Sequence, residues 1–397
     1  MRIFKRSPFL FFATALILAS AAGFADATPT DYDVELEKVA KGIAEIQDSA
    51  FAAPVEIEKA SKYAYLLYRR ASLTASFADF KAAEVGIDTA LRQVGPSEDL
   101  YLLKANFDFK LHRLGKTKED LEKVPDLAGS APVLALKADL DLQEGRYDAA
   151  RRGYEAALRK KRTWDNLARL AYLESRTGNV SGAERLYAEA QAEITAKEMR
   201  SYAWVELQRG LLDFDDGRYE EALAHYQRAN RAYSGYWLIE EHIAEVLDRL
   251  GRTQEAADLY RSIIQRTRNP EFVSALASIA DRKDPAAAEA LYREAERLFE
   301  EQSSLYPEAA IGHYIKHLIS RRETSPRLRE MAERNYQLRP NADSKLLLAR
   351  AYLKLNETGK ARALVDEILA TPWRTPEIDR FSREVRGGRR ISRSSAR

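Results

Sequence analysis

The sequence contains no cysteine among its 397 residues. This excludes disulfide bonds, thiol catalysis, thiolate metal sites and the lipid attachment that a bacterial lipoprotein makes through cysteine. The motifs G-x-S-x-G, H-E-x-x-H, the phosphate loop and the dinucleotide fingerprint are also missing, so no enzyme activity and no cofactor are expected. Alternating runs of β-branched residues are scarce, which argues against a sheet.

The most abundant residue types favour helices. Alanine, leucine, arginine and glutamate dominate, and these are strong helix formers. Hydrophobic residues make up 45% of the chain and charged residues 31%, which is enough for a packed core and excludes wholesale disorder. We therefore expect an all-α protein.

Segment 1–27 has the pattern of a signal peptide. Basic residues (Arg2, Lys5 and Arg6) precede an apolar run from Phe9 to about Ala22, and Ala25-Asp26-Ala27 supplies the small residues of a cleavage site. Without cysteine, export to a bacterial periplasm or beyond is favoured over a eukaryotic lumen. The alternative is an uncleaved membrane anchor. No other stretch is apolar enough, so no membrane span is expected after cleavage.

Charge is distributed unevenly along the chain. The net charge is +2, yet residues 379–397 hold seven arginines against two acids, which leaves the body of the mature chain mildly acidic. This distribution does not suggest nucleic-acid binding. The arginines either bind an anionic envelope polymer or are simply solvated.

A short phrase recurs in the middle of the chain. In its first copy Gly145 is followed by Tyr147, Ala150, Tyr154 and Ala157, and related copies follow Gly178, Gly217 and Gly251 at similar intervals. The glycine suits a tight turn between two helices. The alanines allow close approach of neighbouring helices, and the aromatic rings fill the space between them.

This pattern resembles the tetratricopeptide repeat family, in which pairs of helices stack into a solenoid. The resemblance implies a right-handed superhelix of about nine helix pairs over residues 51–376, strongest at 131–270 and irregular at 300–340. Residues 28–50 are expected to form a capping helix, with Val39 and Ile43 on its apolar face. Residues 377–397 are expected to form a basic, disordered tail.

Two groups of polar residues are candidates for a metal site or for catalysis. His313 and His317 have the i, i+4 spacing of metal ligands but no adjacent acid in the sequence, so two half-exposed histidines on a helix flank are favoured and no metal site is predicted. Asp213, Asp215 and Asp216 precede a turn glycine, where solvation of a helix end is a more common role than acid catalysis.

In the family that the chain resembles, the first helix of each pair lines a concave groove that holds the ligand. Counting back from each turn places aromatic and apolar residues of the earlier repeats on that surface and charged residues on the later ones: Tyr65, Tyr68, Phe109, Tyr172, Trp204, Leu211, Phe214, Glu241, Glu245, Asp248, Arg350 and Lys354. Aromatic residues are common anchors at interfaces. The alternative is that many of them pack between adjacent repeats.

These features predict a periplasmic scaffold that binds protein, peptide or polymer segments along its groove, in envelope assembly, secretion or polysaccharide export. A solenoid suits such ligands better than small substrates, because it offers an extended surface rather than an enclosed pocket. The rival hypothesis is an enzyme or metal-binding protein with its site in the irregular stretch 300–340.

Overall fold

The computed structural model describes residues 28–387. The expected signal peptide and segment 388–397 of the arginine-rich tail lie outside the described residues. The described chain is helical almost throughout, and its only β-type pairing is an isolated bridge between Thr177 and Arg374. Within residues 28–387, no helix has both the length and the apolar character needed to cross a bilayer.

Between residues 28 and 387, twenty helices follow one another with short connections. In chain order they are α1 Asp31–Gln47, α2 Ile57–Thr74, α3 Phe77–Val94, α4 Glu98–Lys110, α5 Leu114–Leu121, α6 Ala131–Gln143, α7 Tyr147–Lys160, α8 Trp164–Arg176, α9 Val180–Glu193, α10 Met199–Asp215, α11 Tyr219–Ala232, α12 Trp237–Arg249, α13 Thr253–Thr267, α14 Pro270–Ala280, α15 Pro285–Leu305, α16 Pro307–Ser320, α17 Pro326–Leu338, α18 Ala342–Lys354, α19 Thr358–Leu369 and α20 Pro376–Gly387.

Helices α2 to α19 pack as nine antiparallel pairs, which confirms the predicted solenoid. The turn glycines of the recurring phrase have left-handed backbones; Gly145, for example, has φ +76°. Ala150 and Ala183 are fully buried where helices meet, and Tyr154 and Tyr187 fill the adjacent space with only 1% of their surface exposed. The phrase therefore encodes helix packing.

Two segments are more regular than the sequence suggested. Residues 307–338 form the helix pair α16 and α17, whose core includes the buried residues Ile315 and Leu328. The segment expected to be disordered from residue 377 is helical as far as Gly387, because Ile378, Phe381 and Val385 form an apolar face that packs against the last repeat.

Helix α1 packs on α2, and its N-terminal end also touches a distant part of the chain. The ring of Tyr32 stacks on that of Tyr236, with 5.5 Å between centroids. Nearby, the indole Nε1 of Trp237 donates a hydrogen bond to the carbonyl oxygen of Leu73 at 2.9 Å. The beginning of the solenoid thus contacts α12 directly.

Contacts of the same kind recur along the superhelix. The Tyr306 hydroxyl donates to Glu84 at 3.1 Å. The backbone N–H of Ala342 donates to the hydroxyl of Tyr147 at 2.7 Å. These partners are 222 and 195 positions apart in sequence. Residues 28–215, here called the first turn, therefore lie against residues 219–387, the second turn.

Candidate functional site

A cavity of about 1130 Å³ lies between the two turns. The first turn contributes residues 75–80 and 110–112 to its wall, and the second turn contributes residues from α12 to α16. This cavity is only partly enclosed and stays open to solvent. The sequence predicts an extended surface without an enclosed pocket, and packing of the first turn against the second adds a recess to that surface.

Part of the cavity wall is apolar and rigid. Phe80, Trp237, Tyr260 and Phe272 line it, and all four side chains are buried. Trp237 lies 5.8 Å from Phe272, centroid to centroid, and its only hydrogen-bond donor is taken by the first turn. These rings offer a preformed surface for an apolar group.

Helix α12 contributes an acidic stripe. Glu241, Glu245 and Asp248 recur at spacings of four and three residues, which places them along one helix face, and all three line the cavity. Burial raises the pKa of Glu245 above its ordinary value, and the neighbouring charge of Glu241 adds to the effect. Asp248 forms an ion pair with Arg282.

Four of the chain's five histidines line the same cavity: His112 from the first turn, and His242, His313 and His317 from the second. Burial lowers the pKa of His112 to about 3 and that of His317 to about 4. Burial alone would also lower the pKa of His242, but the charges of Glu241 and Glu245 raise it above its ordinary value. The pKa values of histidines in one cavity are thus shifted in opposite directions because their neighbours differ.

The sequence favoured two half-exposed histidines at positions 313 and 317, and this holds for His313 but not for His317. His317 is only 1% exposed, and its Nδ1 lies 2.9 Å from the Ser274 hydroxyl. Nδ1 of His313 lies 2.5 Å from a carboxylate oxygen of Glu271. Glu271 of α14 therefore lies next to His313 in the fold, although no acid is adjacent to His313 in the sequence.

Two lysines stand on opposite walls, Lys110 on the first turn and Lys316 on the second. Both are exposed to solvent within the cavity. Desolvation by the surrounding protein lowers the pKa of the Lys110 ammonium below its ordinary value, and the positive charge of Arg200 lowers it further. The cavity therefore presents cations and carboxylates together beside its apolar wall.

The structure brings three of the predicted groove residues together in the cavity: Glu241, Glu245 and Asp248. The aromatic candidates of the first repeats lie elsewhere. Tyr65 is 50% exposed, Tyr68 is half-buried against the core beneath the first repeats, and Phe109 packs on the core between α4 and α6.

The predicted residues of the middle repeats mostly make contacts within the solenoid. Tyr172 lies under the guanidinium of Arg176, Trp204 packs edge-on against Trp164, and Phe214 lies against Tyr219. Leu211 also packs against the core. For these residues the structure supports the packing interpretation that the sequence left open, while a binding role stays a prediction.

At the C-terminal end, Arg350 is partly covered by α20. Its guanidinium lies 2.8 Å from Glu377 and stacks over the ring of Phe381. Lys354 is exposed. The acidic run before Gly217 is also ion-paired, since Asp213 and Asp216 contact Arg218.

Sequence reasoning missed Lys110, His112, His242, Glu271 and Lys316. The only local signal was the spacing of Glu241, His242 and Glu245 on a helix. The other residues come from repeats far apart in the chain, so only the closure of the superhelix brings them to one site.

The sequence profile of the tetratricopeptide repeat matches residues 213–279. No curated protein matches the sequence. Among solved structures, a monomeric IFIT1 mutant with m7Gppp-AAAA is similar, with a TM-score of 0.51 and 14% identity over 85% of this chain and 76% of that one. Yeast Tom70 gives a TM-score of 0.36 and 14% identity over 91% and 95% of the two chains.

The C-terminal part of a repeat-containing protein from Cytophaga hutchinsonii gives a TM-score of 0.37 and 15% identity, over 73% of this chain and all of that one. At these identities the likeness concerns the fold alone. The profile match covers residues 213–279, and the nine stacked helix pairs have the fold of a tetratricopeptide repeat solenoid.

Proposed function

We propose that this protein is a non-enzymatic scaffold that binds a segment of another protein in the cavity between its two turns. The observation that carries the proposal is the combination of volume and lining. A space of about 1130 Å³ slightly exceeds the range of about 300–1,000 Å³ that is usual for small-molecule pockets, and residues of both turns line it. Proteins of this repeat family are in general scaffolds.

The chemistry of the wall suits a peptide. The rings of Trp237 and Phe272 can bury an apolar side chain of the partner, and Lys110 and Lys316 can meet its carboxylates. Glu245 can accept hydrogen bonds from a partner's basic or amide groups. An extended segment carries apolar and charged groups at the spacing that such a mixed wall requires.

We further propose that the protein acts outside the cytoplasm, in the bacterial envelope. The basic residues, apolar run and small residues of segment 1–27 support export, and the absence of cysteine fits a fold that relies on packing alone. Assembly, secretion and polysaccharide export are the processes in which such a scaffold would serve.

Site-specific photo-crosslinking tests the binding proposal. A photoreactive amino acid is introduced at Lys110 or Lys316 on the cavity wall, and at Lys160 as a control, because Lys160 is equally exposed but lies outside the cavity. After irradiation in envelope extract, mass spectrometry identifies the linked peptides. We expect one partner segment to be linked from both cavity positions and not from Lys160. Linkage from Lys160 alone would refute the proposal.

A further inference from the structure

Three neighbouring side chains of α12 in the cavity have the composition of a metal-binding set. One ligand atom from each of Glu241, His242 and Glu245 lies within 4.8 Å of the other two. All three side chains are half-buried in the cavity wall. Zinc binds carboxylate oxygens at about 2.0–2.2 Å, so an ion between these three groups would draw their ligand atoms closer together.

The contact between His242 and Glu241 is unusual for a hydrogen bond. Nδ1 of His242 lies 2.7 Å from a carboxylate oxygen of Glu241, yet the direction does not meet hydrogen-bond geometry, and this nitrogen is shut off from solvent without a hydrogen-bond partner among the described residues. The two atoms are thus close enough to be neighbouring ligands of one cation, and Nδ1 of His242 has no better partner among the described residues.

The imidazole of His242 is also held in place. Its ring stacks on that of Tyr226, with 5.6 Å between centroids and an angle of 30° between the planes. Tyr226 is itself 1% exposed and belongs to the repeat phrase. A fixed ring orientation reduces the entropy lost when the nitrogen binds an ion.

A second observation points to a ligand in the same space. His317, which is almost fully buried, uses Nδ1 for Ser274, and its Nε2 has no hydrogen-bond partner within the described part of the chain. Nδ1 of His112 and of His313 are likewise buried without a hydrogen bond there. Among the described residues, Nε2 of His317 and Nδ1 of His112 thus have no polar partner in this cavity, whereas Nδ1 of His313 and of His242 each lie against a glutamate.

We infer that Glu241, His242 and Glu245 bind a divalent transition-metal ion of the zinc class in this cavity. One imidazole and two carboxylates suit zinc and its neighbours, whereas calcium and magnesium prefer all-oxygen sites. Three protein ligands leave a fourth position for water or for a group of the bound partner. The inference concerns the same cavity as the proposed function but does not depend on a partner.

Calorimetric titration of the full mature chain, without an affinity tag, with Zn²⁺ tests this inference. We expect saturable binding of one ion per chain. Glu245→Gln and His242→Gln should each weaken it at least tenfold, because even second-shell changes cost about 10–100-fold. Glu220→Gln is the matched control, since Glu220 is exposed on α11 and outside the cavity.

Visible absorption of the Co²⁺-loaded protein gives a second readout, which reports the coordination number of the ion. A spectrum typical of Co²⁺ with four or five ligands, absent from both cavity variants, would support the site. Circular dichroism of the metal-free variants must match that of the wild type, which shows that the variants are folded. Absence of saturable Zn²⁺ binding, or equal affinity in wild type and both cavity variants, would overturn the inference. Because no partner peptide is present, either proposal can fail without the other.

Discussion

Replacement of Gly145 by alanine tests whether the two turns touch as described, and Gly251 provides the matched control. Both glycines follow a helix with left-handed backbones, at φ +76° and +78°. An added Cβ at Gly251 meets nothing within 4 Å, whereas at Gly145 it lies 2.8 Å from the carbonyl oxygen of Pro340 in the second turn. The two substitutions therefore share the same backbone strain and differ in the inter-turn contact.

Backbone strain sets the loss of stability expected for Gly251→Ala. A left-handed conformation costs an L-residue roughly 1–2 kcal/mol, and the stiffer unfolded chain offsets about 0.4–1 kcal/mol, which leaves a net loss of about 1 kcal/mol. Gly145→Ala must also displace a backbone carbonyl. The shift breaks the hydrogen bond between Ala342 and Tyr147. A buried donor without a partner costs about 1–3 kcal/mol, so we expect a total loss of about 2–4 kcal/mol.

Two measurements separate these outcomes. The midpoints of urea unfolding compare the stability of the two variants. Midpoints are used because a repeat array need not unfold in two states, which makes an extrapolated free energy less informative. Hydrogen exchange at the amide of Ala342 reports on the inter-turn contact itself. Exchange should accelerate in Gly145→Ala by about tenfold for each 1.4 kcal/mol lost. Equal midpoints for both variants, with unchanged exchange at Ala342, would contradict the inter-turn contact.

Three further predictions concern packing, pH and export. Ala183→Leu should overpack a fully buried site and lower stability by about 1–3 kcal/mol in thermal unfolding. Burial would raise the pKa of Glu206, but His225 and other partners lower it to about 2. Glu206→Gln should therefore reduce the free energy of unfolding by up to about 3 kcal/mol at pH 7. In urea titrations, this difference in stability between wild type and variant should disappear as the pH falls from about 4.5 to 2. Mass spectrometry of the exported protein should find Thr28 at the mature N-terminus, whereas an intact segment 9–22 in membranes would favour an anchor.

The helix pairs could be predicted from the sequence because each depends on contacts between residues that are close together in the chain. Gly178, Ala183 and Tyr187 lie in one such unit, and their turn, close approach and gap-filling roles follow from their size and shape. Residues 307–338 lack that phrase, yet Ile315 and Leu328 bury the same kind of core. For this segment the apolar pattern was a better guide than the repeat signature.

The C-terminal helix was missed because its arginines and the following glycines suggested disorder. The spacing of Ile378, Phe381 and Val385 nevertheless places three apolar side chains on one helix face. That face packs against the last repeat, whereas Arg380 and Arg383 between these positions are exposed, and Arg380 donates a hydrogen bond to the carbonyl oxygen of Asp215.

The cavity could not be predicted, because it depends on how the small rotation between successive pairs accumulates along the solenoid. Lys110 and Lys316 lie in repeats far apart in the chain, and a small error in the rotation of each pair would separate the walls that carry them. Counting positions within each repeat could identify Glu241 and Glu245 as groove residues. It could not show that His112 faces the same space.

Contact between the turns also changes what the solenoid's stability depends on. In an open solenoid each pair is stabilised only by its neighbours. Here Trp237 hydrogen-bonds to the carbonyl of Leu73, and Tyr306 to Glu84, so the early repeats also stabilise α12 and the start of α16. The cavity therefore also depends on contact between the turns. Without the first turn, the helix pairs from α12 onward would keep their local packing, but the cavity would lose the wall that contains Lys110. Binding should therefore report on the closure of the whole superhelix rather than on any single repeat.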